Sequence, residues 1–135
     1  QAALVEQFRE RTSSRTYLAF LWGAPAIRQG KVEAPIGRDP ARRERMGVVP
    51  DGGKWAVTRY RVLETFADEA ASLVQFKLDT GRTHQIRVHA QHLGHPLLGD
   101  TVYDGHPDRV MELYTTPKNR RAVRSALQAL DRPPL

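Results

Sequence analysis

Residues 80–89 read Thr80-Gly81-Arg82-Thr83-His84-Gln85-Ile86-Arg87-Val88-His89, and the rest of the chain is best understood outward from them. Asp79-Thr80-Gly81 is turn chemistry that reverses the chain. Beyond it Ile86, Ala90 and Leu93 fall on one helical stripe, and Gly94 followed by Pro96 supplies a C-terminal cap and a stop, so a helix is predicted over 83–93. Two arginines, two histidines and a glutamine crowd its start, a density that few structural needs explain. A helix N-terminus offers free backbone N–H groups and positive partial charge; Arg82 there opposes the dipole but sharpens a site for an anion, with phosphate the natural guest. Arg87 lies one turn in, where it can reach a carboxylate across a cleft or lie along the surface on its apolar stem.

Upstream of the turn, Ser72 to Leu78 sets Leu73, Gln75 and Lys77 against Val74, Phe76 and Leu78, the period of two expected of a half-buried strand. Met46 to Val49, the turn Pro50-Asp51-Gly52-Gly53 and Lys54 to Phe66 predict a strand, a tight turn and a longer strand paired as a hairpin. Gly23 to Pro40 carries a Gly or Pro every few residues and is predicted as loop with a short strand near Val32. Thr16 to Trp22 is aromatic and aliphatic on both faces, as in a strand covered on both sides. Helices are predicted over 1–11 and over 119–130, the second apolar at Val123, Ala126, Leu127 and Leu130 and basic at Arg120, Arg121 and Arg124. Strands and helices that do not alternate give an α+β fold, a mixed and mostly antiparallel sheet flanked by helices.

The chain has 135 residues, enough for one core and too few for two. Residues 1–135 are therefore taken as belonging to one domain. The uncapped start and the closing Arg132-Pro133-Pro134-Leu135 lead to the expectation that this domain is larger than the chain. Its 21 basic residues outnumber 15 acidic ones, for a net charge of +6. Lysine occupies only positions 31, 54, 77 and 118, so the excess is mainly arginine, whose planar fork grips phosphate and stacks on bases. Nucleic acid leads over membrane as the partner, and no apolar run or signal-peptide pattern points to a bilayer. Without cysteine there is no disulfide framework or thiolate metal site, and a cytoplasmic setting is expected. His84, His89, His92 and His95 invite a metal reading, but no carboxylate joins them at ligand spacing on the helix, and no metal is expected.

The run from Leu78 to His89, followed by Leu93-Gly94-His95-Pro96-Leu97-Leu98-Gly99-Asp100 and Tyr103, resembles the signature of the RluA-type pseudouridine synthases nearly letter for letter. Arg15-Thr16-Tyr17-Leu18-Ala19 is similar to that family's Lys-x-Tyr-x-Ala strand, and Ala34-Pro35-Ile36, Asp39-Pro40 and Ala56-Val57-Thr58-Arg59-Tyr60 follow in the family's order. The resemblance implies isomerisation of uridine to pseudouridine in ribosomal or transfer RNA, with an aspartate nucleophile and neither metal nor cofactor. It places the base-packing tyrosine of the proton step at Tyr17 and, at Arg87, the cation beside the nucleophile. Arg15, Arg82, Thr83, His84 and Gln85 are the expected RNA contacts.

Tyr17 and Arg87, 70 positions apart, are expected to border one cleft. No His-Arg-Leu-Asp motif, the family's nucleophile context, occurs before Tyr17. The nucleophile is therefore expected outside the chain, as is a final strand, and the chain alone is expected to be inactive. The alternatives are an RNA-binding module that kept the cleft and lost the nucleophile, marked by the absence of that aspartate from the gene, and a histidine metalloprotein, marked by stoichiometric metal.

Overall fold

The computed structural model describes residues 15–130. The helix expected over 1–11 and the extended segment at 132–135 lie outside the described residues. Strand β1 (Thr16–Trp22) runs antiparallel to β6 (Ala71–Leu78), which pairs with β5 (Val57–Phe66), which in turn pairs with β2 (Gln29–Glu33), giving a sheet of order β1-β6-β5-β2. Rows such as Tyr17↔Phe76↔Tyr60 put large apolar side chains on one face. On that face Ala19, Leu21, Val32, Val74 and Phe76 pack with Ile86 and Ala90 of helix α1 (Gln85–Leu93). This is the apolar stripe read from the sequence, turned onto the sheet.

Gly94 ends α1 with φ 95°, its N–H bonded back to the helix. Only glycine enters this left-handed region without strain. Helix α3 (Pro117–Leu130) covers the second helical prediction, beginning two residues earlier. Val123 joins a second cluster around Trp22, Leu98, Val110 and Met111.

Three local expectations change. Residues 46–49 and 54–66 do not form a hairpin: β4 (Met46–Val48) pairs with β3 (Ile36–Arg38) in a separate two-stranded sheet, and Lys54 bridges the same Ile36. The turn is present, with Gly52 at φ 84°, but β3 lies between its two arms and takes hydrogen bonds from both. Turn chemistry fixed the reversal and not the partner. Gly23 to Pro40 holds two strands, β2 and β3, in place of one, because register with β5 and β4 supplies order that a Gly- and Pro-dense segment does not advertise. Helix α2 (Pro107–Tyr114) was not anticipated, although Pro107 at its first position, Asp108 in its first turn and buried Val110 and Met111 were readable signals. Among the described residues no helix is long and apolar enough to cross a membrane.

Candidate active site

The turn between β6 and α1 is held by Gln85. Its carboxamide oxygen accepts from the Arg82 N–H (2.9 Å) and the Thr80 hydroxyl (2.8 Å), and its Nε2 donates to the Val57 carbonyl and the Thr58 hydroxyl, both at 2.9 Å. Thr80 in turn accepts from the Val57 N–H. One amide thus stitches the loop to the start of β5. Gln85 is buried and its hydrogen bonds are spent internally, so where the sequence suggested an RNA contact the geometry gives it the task of shaping the loop.

His89 lies one turn further in and is 1% exposed. Its Nε2 faces the Ala34 carbonyl at 3.0 Å, which only accepts, so the ring proton sits there, and Nδ1 accepts from the Thr58 hydroxyl at 2.7 Å. Burial holds its basicity below that of an ordinary histidine. With His89 committed to the core and His95 bonded to the Trp22 carbonyl, no metal-holding group of His, Asp and Glu forms among the described residues.

Arg87 reaches the carboxylate of Asp100, Nε to Oδ2 and Nη2 to Oδ1, both at 2.9 Å. The Asp100 side chain is fully buried and that of Arg87 is 14% exposed. Two parallel N–H···O bonds are the strong geometry for this pair, and they hold Arg87 above its already high range against the cost of burial. Oδ1 of Asp100 also accepts the backbone N–H groups of Val102 and Tyr103. Asp100 is therefore spent on structure and closed to a nucleotide.

The resemblance gave Arg87 a carboxylate from outside the chain; the partner the structure shows is Asp100, quoted in the signature motif but assigned no role. The signal was available: a helix that buries an arginine needs a carboxylate, and Asp100 lies in the next conspicuous turn. Two of the five guanidinium N–H groups are used on Asp100, which leaves three.

Tyr103 completes the cluster and is fully buried. The guanidinium carbon of Arg87 lies 4.8 Å from its ring centroid and that of Arg45 5.7 Å. Arg45 is anchored by Asp39 at 3.2 Å and by the Val102 carbonyl at 2.7 Å. Burial raises the Tyr103 phenol, which keeps its proton at neutral pH. That phenol accepts from the Met46 N–H (3.0 Å) and meets Nδ1 of His84 at 2.8 Å.

Of the other predicted residues, His84 touches this cluster through Tyr103, and the rest are placed by the loop and the sheet. Thr83 and His84 are exposed on the loop, and His84 takes the left-handed φ of 55°. Arg82 points both Nε and Nη2 at the Trp55 carbonyl, at 3.0 and 2.8 Å. Arg15 is exposed beside the same loop, its Nη2 2.8 Å from where a Cβ on Gly81 would stand. Tyr17 is half-buried and packs against the core cluster that contains Ile86, the neighbour of Arg87.

Comparison with known proteins identifies the family. A sequence model described as RNA pseudouridylate synthase matches residues 1–92, and the chain belongs to that family. RNA pseudouridine synthase 2, chloroplastic, of Arabidopsis thaliana is 41% identical over 98% of this chain and 33% of its own length. Ribosomal large subunit pseudouridine synthase D of Pseudomonas aeruginosa is 51% identical over 76% of this chain and 31% of its own. The solved structure of Human RNA Pseudouridylate Synthase Domain Containing 1 superposes with a TM-score of 0.61 at 36% identity, covering 70% of this chain and 43% of that one. The chain spans about a third of the length of the curated relatives it matches. The expected family and the α+β class, with its mostly antiparallel sheet, are both borne out.

Proposed function

We propose that this chain supplies the RNA-facing and catalytic-support part of an enzyme that isomerises uridine to pseudouridine in structured ribosomal or transfer RNA. The observation that carries the reading is the site loop itself: a family member's signature folded so that Arg82, Thr83, His84 and Arg15 surround one turn, with the Arg87–Asp100 pair behind it. Tyr17 is the base platform and proton-step residue, and Arg87 turns its remaining N–H groups toward the nucleophile. A carboxylate that must stay ionised needs such a charge beside it. The nucleophile is an aspartate in a His-Arg-Leu-Asp context, which these 135 residues do not contain. Isomerisation exchanges a carbon–nitrogen bond for a carbon–carbon bond with no net change of atoms or electrons, so the reading calls for neither cofactor nor metal. The setting it implies is cytoplasmic.

The reading requires phosphate contacts, and these respond to salt. Binding of a stem-loop RNA should weaken roughly tenfold or more as salt rises from about 50 to about 200 mM, the response expected if a few arginines each displace counterions. Filter binding across that range is the check; a flat response would make the charge merely compositional.

A further inference from the structure

We propose that Tyr103 acts as a positioning residue that fixes His84 as a neutral imidazole with its proton on Nε2, and that this N–H donates to a phosphate oxygen of the bound RNA. The inference rests on the functional reading above and adds a named contact and the residue that sets it.

The proton assignment follows from the donors and acceptors around one buried hydroxyl. A phenol has one proton to give and can accept as well. The Tyr103 oxygen already accepts the Met46 N–H, and the other partner within reach is Nδ1 of His84 at 2.8 Å. Were Nδ1 protonated, the phenol would accept twice and its own proton would be left in a fully buried site without an acceptor. Every group is satisfied only if Tyr103 donates to Nδ1, which places the imidazole proton on Nε2.

Nε2 makes no hydrogen bond among the described residues, and His84 stands exposed on the site loop. The two rings meet edge to face, centroids 5.6 Å apart, and with the Nδ1 bond this contact holds the imidazole in place. Among the described residues the charged groups that act on His84 are Arg87, Arg38 and Asp100, and Asp100 is already neutralised by Arg87. The surplus is cationic, so an anionic oxygen suits this donor better than a carbonyl.

Burial, followed by the charge of Arg87, holds His84 below its ordinary value of 6.5. The sign is that of a depressed group: the arrangement is complete above about pH 6.5, and acid removes it, because a second ring proton on Nδ1 confronts the Tyr103 hydroxyl.

The test is the two-bond proton–nitrogen spectrum of 15N-histidine-labelled protein with the RNA-binding constants of its variants. The wild type should show His84 as the Nε2–H form. Tyr103→Phe should give mixed tautomers, a His84 midpoint moved up toward its ordinary value, and a roughly three- to tenfold loss of affinity for a stem-loop RNA. His84→Ala should lose as much or more, and Tyr103→Phe should add nothing in that background.

An Nδ1–H form in the wild type overturns the assignment without need of any variant that must fold. Losses that multiply in the double variant overturn the role of Tyr103. A wild type with the Nε2–H form and no affinity for the RNA overturns the phosphate contact together with the functional reading, and the spectrum tells that failure from the first.

Discussion

Replacement of Asp100 by alanine should destabilise the fold by about 3–5 kcal/mol, the range seen when one partner of a buried ion pair is removed and the other is left uncompensated. Arg87 would keep its charge in a site where its side chain is 14% exposed, and the Val102 and Tyr103 N–H groups would lose their acceptor. For a chain of this size the melting temperature should fall on the order of 10 °C. Asp100→Asn separates the two causes. Its remaining oxygen can still accept the backbone N–H groups, while its amide N–H faces Nε of Arg87, so it should fall between wild type and alanine. Calorimetry on the three proteins is the check, and an Asp100→Ala protein as stable as wild type would show the pair to be ornamental.

The second large effect falls on chemistry. In the enzyme carrying the nucleophile, Tyr17→Phe should reduce turnover by about a hundredfold or more, the scale of a lost proton-transfer group, while RNA affinity changes only a fewfold because the ring proposed to face the base remains. Single-turnover rates at saturating RNA measure the first quantity and equilibrium binding the second. Equal losses in both would make Tyr17 a binding residue alone.

Where local pattern and tertiary packing pointed the same way, the fold was legible before any coordinates. The stripe Ile86, Ala90, Leu93 and the glycine at 94 specified α1 to within two residues at its start, and the alternation from Ser72 to Leu78 specified β6. Long-range pairing was not legible. The Pro50 to Gly53 turn is a strong hairpin signal, yet β3 takes the hydrogen bonds on both sides of it, a choice made by residues more than ten positions upstream. The site divided in the same way. Side chains could be assigned to the loop from residue type alone, but which of them point outward depended on hydrogen bonds to distant strands. Gln85 is consumed by Val57 and Thr58 and Arg87 gives two of its N–H groups to Asp100, whereas Thr83 and His84 stay exposed. Tyr103 belongs to the signature read from the sequence but carried no role there, since a tyrosine after a Gly-Asp turn looks like a core aromatic until its hydroxyl is seen beside His84.

The most direct measurement is of pseudouridine itself, by carbodiimide-dependent reverse-transcription stops on ribosomal and transfer RNA. It would compare the 135-residue chain alone with a protein in which the same residues are joined to a His-Arg-Leu-Asp segment. Pseudouridine is expected at discrete positions with the joined protein and none with the chain alone. Turnover by the chain alone would contradict the assignment of the nucleophile, and no pseudouridine from a folded, RNA-binding joined protein would contradict the proposed reaction.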